Sequence, residues 1–485
     1  MRTNPHILEV NTGVWLKLLS DRYAKPMTIC HVPDECLDEI KAMGFDAVWL
    51  MGVWQKSPKA QEIARANEEI NRAVSYIFPD YKKEDIKASP YSVYAYTVDS
   101  EIGTEEGLKD LKRRFNERGI ALLLDFVGNH LAIDHPKTLT DPDLFINTGT
   151  NPPTTDPDLF FKTENGYYIA HGRDPFFPPW TDTAQLNYFN PKTQDYMMEV
   201  LKKIMTFCDG VRCDMAMLSL NKVQKDTWWK FLGGQEPGEE FWTRAVREAR
   251  EINSDFIFIA EVYWGLEWEI QEMGFDYTYD KVMYDRLRFS SAENIKGHLG
   301  AEHLYQMRSI RFISNHDEES AMQAFGRDKA LAASTLIATI PGARMFFCQQ
   351  LYGYKHHLPV QYVGYTGEAD AELFNFYTRL LSLINHPSFH GGQWTIKNLT
   401  SVNDSETHKN ILAWTWIQGM EHKLVVINYS GEQSIGHMTL NKHKFKTIAE
   451  DLQGLEITES ADELYKNGLT VDLKPYESRI YSLTL

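Results

Sequence analysis

Four short segments of the chain place acidic residues and histidines directly after apolar runs. They are residues 125–130, 209–214, 259–261 and 314–317. Carboxylates and imidazoles in such positions can act as nucleophiles or move protons. Each residue taken singly could instead cap a helix or pair with a neighbouring charge. Several convergent charges, however, would be costly to desolvate without a task, so the four segments together predict one active site.

The elements that must position these residues follow a regular order. Apolar runs and amphipathic segments alternate as far as residue 384, which is typical of βα units and a parallel sheet. Segment 104–118 illustrates the helices, with Thr104 as N-cap and Gly119 after the end. Eight runs predict strands, and the fold class is therefore α/β, a (β/α)₈ TIM barrel. The runs are residues 7–16, 46–54, 120–127, 210–215, 256–263, 275–279, 309–314 and 343–348.

Two stretches depart from this alternation. Residues 131–191 are rich in Pro, Asp, Thr and aromatic residues. They are too long for a bare loop and predict a subdomain inserted after the third strand. Residues 388–485 show short alternating runs between turns, which predicts a C-terminal antiparallel β-sandwich. The barrel domain would then comprise residues 1–130 and 192–387.

The barrel prediction says where the polar segments should meet. Polar residues at the C-terminal ends of barrel strands face the active site, whereas the strand interiors fill a packed core. The third, fourth, fifth and seventh predicted strands each end in one of the four segments. We therefore expect one cavity to collect three carboxylates, an arginine and two histidines: Asp214, Glu261, Asp317, Arg212, His130 and His316.

Composition narrows the class of partner. The formal net charge is −17, which repels nucleic acid and anionic membrane surfaces but is indifferent to a neutral carbohydrate. Residues 1–20 do not resemble a signal peptide, and no apolar run approaches the length of a membrane span. The five cysteines form neither a CxxC nor a zinc pattern. We therefore expect reduced thiols and a cytoplasmic protein.

The four segments resemble, in order, type and spacing, the four signature regions of the α-amylase family. The stretch 131–191 and the C-terminal residues resemble that family's domains B and C, so the resemblance covers essentially the whole chain. It implies a retaining glycoside hydrolase that cleaves α-glucosidic bonds, in the first instance α-1,4 bonds of maltooligosaccharides or glucans. An α-glucan would then be the substrate.

The resemblance also implies a role for each residue. Asp214 matches the nucleophile, Glu261 the general acid/base, and Asp317 the carboxylate that holds the hydroxyls of the distorted sugar. Retaining hydrolysis needs such a nucleophile and acid about 5–5.5 Å apart. Arg212 would keep Asp214 ionised, because a positive neighbour lowers the pKa of a carboxylate. The matched substrate-binding residues are Arg212, His130, His316 and Tyr91, and the structural rim residues are Asp125 and Asn129.

Three positions depart from the family pattern. Residues 215–218 lack the usual Lys-His pair, and Gln185 replaces an Asp of a fifth motif. Both features serve a calcium site in many members, so we expect no metal and no cofactor. Exo-acting members often place an Asp three residues before the stacking tyrosine, where this chain has Ala88. That difference predicts an open cleft that binds internal stretches of a glucan.

The sequence leaves several alternative functions open. A transglycosylase or a phosphorylase would use the same residues, because only the acceptor that attacks the intermediate differs. A non-catalytic relative is a remote alternative, since such proteins lack parts of the catalytic set. Phe176, Phe177 and Trp180 could form a substrate platform, but a small core of the inserted stretch is the favoured interpretation. The sequence does not indicate an oligomeric state.

Overall fold

The computed structural model describes residues 1–364, 369–440, 447–455, 457 and 460–484. Its centre is a closed barrel of eight parallel strands, in which neighbours follow chain order and the last strand pairs with the first. The predicted TIM barrel is confirmed, and every strand overlaps one of the eight predicted runs. The barrel strands are His6–Asn11, Ala47–Met51, Ala121–Val127, Gly210–Asp214, Ile257–Ala260, Tyr277–Tyr279, Ser309–Arg311 and Ala343–Phe347.

The first barrel strand is shorter than predicted. It ends at Asn11, whose side-chain oxygen accepts a hydrogen bond from the N–H of Val14 at 3.2 Å and so starts the helix Thr12–Tyr23. Val14 and Leu16 are buried on that helix. The prediction of a strand over residues 7–16 is therefore wrong at its end, because these apolar residues continue the run with the spacing of a helix.

The second predicted strand is divided in two. Ala47–Met51 belongs to the barrel, whereas Trp54–Lys56 turns away and pairs antiparallel with Val93–Val98. Gly52 stands between the two pieces with φ +81, a backbone conformation that glycine adopts at little cost. This turn carries the chain into the loop that holds Tyr91, so the division helps to build the rim of the barrel.

Helices cover the outside of the barrel. The helix Glu105–Glu117 begins as predicted at Thr104, whose hydroxyl accepts a hydrogen bond from the N–H of Gly107 at 3.0 Å. In the described part of the chain, no helix is both long enough and apolar enough to cross a membrane. The longer helices of residues 1–387 are Thr12–Tyr23, Asp34–Ala42, Pro58–Ala66, Glu68–Ile77, Glu105–Glu117, Pro191–Met205, Asn221–Trp228, Phe241–Ile252, Lys281–Phe289, Ala292–Leu299, Arg327–Thr339 and Ala371–Ile384. Of these, Pro58–Ala66 and Glu68–Ile77 pack in a separate cluster between the second and third barrel strands.

The stretch after the third barrel strand contains short antiparallel pairs rather than barrel elements. His130–Ala132 pairs with Thr183–Gln185, and Phe160–Lys162 pairs with Tyr168–Ala170. The first of these pairs ties the beginning of the stretch to its end. Its register places His130 opposite Gln185, so the two ends of the stretch meet beside the third barrel strand.

The C-terminal residues form two antiparallel sheets that face each other. A five-stranded sheet has the order Gln393–Lys397, Ile411–Gln418, Glu421–Asn428, Ser478–Thr484, Thr447–Glu450. A two-stranded sheet pairs Ser434–Met438 with Leu469–Leu473. Buried apolar side chains of both sheets share one cluster, which confirms the predicted sandwich. The indole N–H of Trp416 donates to the backbone oxygen of Thr339 at 2.6 Å and fixes the sandwich against a barrel helix.

Candidate active site

A cavity of about 320 Å³ opens where the barrel strands end. Asp214 is the last residue of the fourth strand, and Glu261 directly follows the fifth. Both line the cavity, together with Asp317 from the loop after the seventh strand. Tyr91 and His130 complete the predicted residues on its wall. The structure therefore brings together the three predicted catalytic carboxylates and two of the predicted sugar contacts.

Arg212 lies behind this wall and holds two of the carboxylates. Its side chain is 1% exposed, because residues 212 and 214 share the inner face of the fourth strand. Nη1 donates to Asp214 Oδ1 at 2.7 Å, and Nη2 donates to Glu261 Oε2 at 2.8 Å. The guanidinium carbon lies 5.0 Å from the ring centre of Trp49 and 5.2 Å from that of Tyr91. One fixed cation therefore orients both carboxylates.

The surroundings of the two carboxyl groups differ in charge. Burial raises the pKa of both Asp214 and Glu261, and Arg212 opposes the rise. The negative Asp317 raises the pKa of both groups. The hydrogen bond from Arg212 and the positive His316 also lower the pKa of Asp214, whereas the negative Asp214 raises that of Glu261 and the Tyr263 hydroxyl lowers it. A single proton shared by the pair is therefore held best by Glu261.

Two hydrogen bonds fix the Glu261 carboxyl group in addition to that from Arg212. The hydroxyl of Tyr263 donates to Oε1 at 2.7 Å, and the N–H of Met215 donates to Oε2 at 2.8 Å. Met215 has a positive φ of 42, which turns this N–H towards Glu261. Strained backbone beside a catalytic group is a common feature of active sites. The hydrogen bond from Met215 joins the residue after the fourth strand to Glu261, the residue after the fifth.

His316 is held by a residue that the sequence did not single out. Its Nδ1 lies 2.6 Å from Glu9 Oε1, and its Nε2 lies 2.7 Å from the Tyr91 hydroxyl and 2.9 Å from Asp317 Oδ2. Burial alone would lower the pKa of His316, but Asp317 and Glu9 outweigh it and raise that pKa to about 10. The imidazole is therefore a cation at neutral pH.

The charge on His316 acts on Asp317 in turn. Partial burial favours the protonated acid, but His316 outweighs this effect and lowers the pKa of Asp317 to about 2. The side chain of Asp317 is 48% exposed and faces the cavity, whereas that of His316 is 1% exposed. The structure thus places Arg212 and His316, both predicted to bind sugar, behind the cavity wall. They face the cavity only through the carboxylates to which they are bound.

His130 is a neutral group on the cavity wall. Burial lowers its pKa to about 4, and its ring centre lies 5.1 Å from that of Trp180. A neutral imidazole can both donate hydrogen bonds to sugar hydroxyls and accept hydrogen bonds from them.

Asp125, predicted to support the rim, is buried beneath the wall with Oδ1 3.5 Å from Arg212 Nη1. Burial raises the pKa of Asp125 to about 7.

The oxygens of Asn129, the other predicted rim residue, lie where a calcium site would be expected and are hydrogen-bonded to Gln185 instead. Gln185 Nε2 donates to the backbone oxygen of Asn129 at 3.0 Å, to its Oδ1 at 2.8 Å and to the backbone oxygen of Leu186 at 3.1 Å. Three oxygens therefore converge on an amide group that donates hydrogen bonds, where a calcium ion would need a negative ligand. These residues do not fit a calcium ion, because the amide group of Gln185 already occupies the three oxygens that the ion would need as ligands.

A second cavity, of about 550 Å³, adjoins the first. The two share Trp180, Met215 and Tyr263. Four aromatic side chains line this second cavity, which we call the aromatic cavity, and four charged side chains line it as well. The aromatic ones are Phe177, Trp180, Tyr263 and Trp264, and the charged ones are Asp174, Glu267, Lys281 and Asp285. Trp264 lines it with a positive φ of 68, and its ring lies edge-on to that of Phe176 with centres 5.3 Å apart. An aromatic surface beside a carboxylate cavity suits the apolar faces of a sugar chain.

The aromatic residues of the inserted stretch do not form the small core that was the favoured interpretation. Phe176 is 73% exposed and Phe177 is 65% exposed. Trp180 instead lies at the boundary of the two cavities. The interpretation as a core was wrong because the run of prolines around these residues prevents a regular element that could bury them.

Comparison with known proteins agrees with this geometry. The family model of the alpha amylase catalytic domain matches residues 34–357. Alpha-amylase 3 of Dictyoglomus thermophilum is 25% identical over 314 residues, which are 59% of this chain and 57% of that protein. The 4-alpha-glucanotransferase of Thermotoga maritima is 24% identical over 344 residues, 65% of each chain. The chain thus spans less than two thirds of the length of these relatives.

A solved structure matches over a greater length. The crystal structure of a maltogenic alpha-amylase from Thermotoga neapolitana superposes with a TM-score of 0.69 at 20% identity. The match covers 100% of this chain and 99% of the other. At this identity it shows a common fold. Because the family model covers more than half of the residues, the chain belongs to the alpha-amylase family.

Proposed function

We propose that the chain is a retaining glycoside hydrolase that cleaves α-glucosidic bonds, α-1,4 bonds of maltooligosaccharides or glucans in particular. One observation carries the proposal: Arg212 is hydrogen-bonded to both Asp214 and Glu261 on the wall of one cavity. This arrangement fixes two carboxyl groups beside each other, and the negative charge of Asp214 raises the pKa of Glu261. A nucleophile and an acid of this kind are what a retaining mechanism needs.

In the first step, the ionised Asp214 attacks the anomeric carbon of the sugar. The bond from that carbon to the leaving oxygen breaks, and Glu261 transfers its proton to this oxygen. A glycosyl ester on Asp214 results. In the second step, Glu261 takes a proton from water, whose oxygen attacks the same carbon and releases Asp214. Burial and the two neighbouring carboxylates support the protonated state of Glu261 at the start.

The remaining residues would act on the sugar rather than on the bonds that change. Asp317 is exposed to the cavity and ionised, so it can accept hydrogen bonds from two hydroxyls as the ring distorts. His130 offers a neutral ring on the same wall. Tyr91 stacks on His316 with ring centres 5.2 Å apart, which fixes the aromatic face against which a sugar would lie.

The aromatic cavity supports binding of a chain rather than of a single sugar. Tyr263 donates to the proposed acid Glu261 and lines both cavities. The leaving oxygen must lie beside Glu261, so the second cavity would receive the sugars on the leaving side. Trp264 and Phe177 would stack on them. These positions favour cleavage within a glucan, as the absence of an acid at Ala88 also predicts.

The same aromatic cavity favours a second candidate, transfer of the glycosyl group to another sugar. An acceptor held there would compete with water for the ester on Asp214. A 4-alpha-glucanotransferase is among the relatives of similar sequence. A phosphorylase would instead need phosphate to attack, and it stays an alternative for the same residues. Assignment to the cytoplasm likewise stays a prediction.

Product analysis separates these activities. Maltoheptaose labelled at its reducing end would be incubated with the chain, with and without inorganic phosphate, and its products resolved by chromatography. Hydrolysis within the chain gives labelled fragments of several lengths from the earliest times. Products longer than the substrate would indicate transfer, and glucose 1-phosphate would indicate phosphorolysis. Glucose as the only early product, with rapid cleavage of nitrophenyl α-glucoside, would contradict an open cleft.

A further inference from the structure

One carboxylate in the catalytic cavity has no role in the steps above. Asp182 lines the cavity and directly precedes the short strand Thr183–Gln185 of the inserted stretch. Its backbone oxygen accepts hydrogen bonds from the Ser92 hydroxyl at 2.7 Å and from the N–H of Ile133 at 3.0 Å. These bonds fix the backbone, so the position of the carboxyl group is set by the fold.

The carboxyl group makes few contacts with the protein itself. Within the part of the chain that the structure describes, it takes a hydrogen bond from its own N–H, and no other residue donates to it or forms an ion pair with it. Partial burial raises its pKa to about 6. The half-buried group lines the cavity, where hydroxyls of a bound ligand can take the place of water as donors.

The neighbours of Asp182 show which part of a substrate it would meet. Ser89, Tyr91 and Gln361 line the same cavity, but none of them lines the second one. The leaving side of the scissile bond was assigned to that second cavity through Tyr263. Asp182 therefore faces the sugar units on the non-reducing side of the bond. Hydroxyls are the donors that such a sugar offers, and a carboxylate can accept from two of them.

We propose that Asp182 is a specificity-determining residue whose carboxylate binds hydroxyl groups of the sugar on the non-reducing side of the scissile bond. The proposal rests on the proposed glycosidase function, which defines that side. Ala88 lines a separate cavity of about 180 Å³ and is 2% exposed, so it does not line the cavity that Asp182 faces.

Asp182→Asn tests the proposal because it keeps the shape and removes the charge. Loss of a hydrogen bond to a charged group lowers kcat/KM for maltoheptaose by about 10- to 100-fold, mainly through KM. In the parent chain KM should rise as the pH falls through about 6, where Asp182 takes up a proton. The variant should show a flat KM over this range, which a merely structural role would not produce.

A binding measurement makes the result independent of turnover. Titration calorimetry with maltoheptaose would compare the Asp214→Asn variant with the double variant Asp214→Asn/Asp182→Asn. We expect the Kd to rise by about 10-fold or more in the double variant. Asp143→Asn is the matched control in place of Asp182→Asn, because it removes an exposed carboxylate of the same inserted stretch. With this control the Kd should stay unchanged.

The possible failures can be told apart. A Kd within twofold of that of the Asp214→Asn variant would overturn the role of Asp182, whether or not the parent chain hydrolyses glucans. An equal rise with Asp143→Asn would overturn it as well, because the effect would then be one of net charge. A parent chain that binds maltoheptaose through Asp182 but produces no cleavage would refute the proposed function alone.

Discussion

Glu9 Oε1 lies 2.6 Å from His316 Nδ1, across the interior of the barrel from the first strand to the loop after the seventh. The same oxygen accepts a hydrogen bond from the N–H of His316 at 3.2 Å. Both groups are fully buried. The pair therefore keeps a positive imidazole behind Asp317, and this charge is what allows Asp317 to stay ionised on the cavity wall.

Replacing Glu9 by Gln tests this relationship. The pKa of His316 is about 10 in the folded protein and about 6.5 in the unfolded chain. Its contribution to stability is therefore complete below about pH 6.5 and is lost as the pH rises through about 10. Without the carboxylate of Glu9, the proton leaves at a lower pH. We expect the imidazole titration of His316, followed by NMR, to shift to lower pH by about one unit or more.

The control for this variant is Glu450→Gln, which removes a buried carboxylate of the C-terminal sheet. It should lower the melting temperature without moving the imidazole titration of His316. A titration of His316 that stays in place in Glu9→Gln would show that Glu9 does not hold the charge of His316.

Arg212→Lys tests whether one cation must serve both carboxylates. A guanidinium donates through two separate nitrogens, whereas a single ammonium cannot reach both partners in the observed geometry. We expect kcat to fall by about 10²-fold or more. The acid limb of the pH profile should move to higher pH, because loss of the hydrogen bond from Arg212 leaves the pKa of Asp214 higher. Retention of half of the activity would contradict this role.

Gln185→Glu tests the fit of this site to calcium. The substitution keeps the size of the side chain but turns its donor group into a carboxylate that faces three oxygens. The melting temperature should fall by several degrees, because each lost buried hydrogen bond costs about 1–3 kcal/mol. Millimolar calcium should restore part of the loss in the variant. In the parent chain, neither calcium nor EDTA should move the melting temperature.

The aromatic cavity gives a prediction about chain length. Trp264→Ala removes the ring that faces Phe176 and lines the second cavity. We expect KM for maltoheptaose to rise by about tenfold, as for the loss of one stacked ring. Glucosyl fluoride has no sugar on the leaving side, so its hydrolysis should be unaffected and serves as the control. An equal effect on both substrates would place Trp264 elsewhere in the mechanism.

Much of the barrel and of the catalytic set could be predicted because the signals are local. An apolar run that ends in a charged residue indicates a barrel strand, and it also indicates which end of that strand faces the active site. Asp214, Glu261 and Asp317 follow this rule and line one cavity. Their roles stay predictions until variants are assayed.

Glu9 and Asp182 show what such reasoning misses. Glu9 lies inside the first strand, with its only sequence signal an acid between Leu8 and Val10, and its partner His316 is far away along the chain. Asp182 lies in a stretch where acidic residues are frequent, so an acid at this position does not by itself indicate a functional site. Only the pairing of His130–Ala132 with Thr183–Gln185 brings it to the cavity. Both roles depend on contacts between distant segments.

The proposed mechanism requires Asp214 to be the nucleophile of a retaining glycosidase. 5-Fluoro-α-glucosyl fluoride tests it, because its good leaving group allows the ester to form while the ring fluorine slows hydrolysis of that ester. Mass spectrometry of the digested protein should find one fluoroglucosyl group on the peptide that contains Asp214, and none after Asp214→Asn. The claim would be contradicted by an adduct on another residue, or by hydrolysis of glucosyl fluoride that persists in Asp214→Asn.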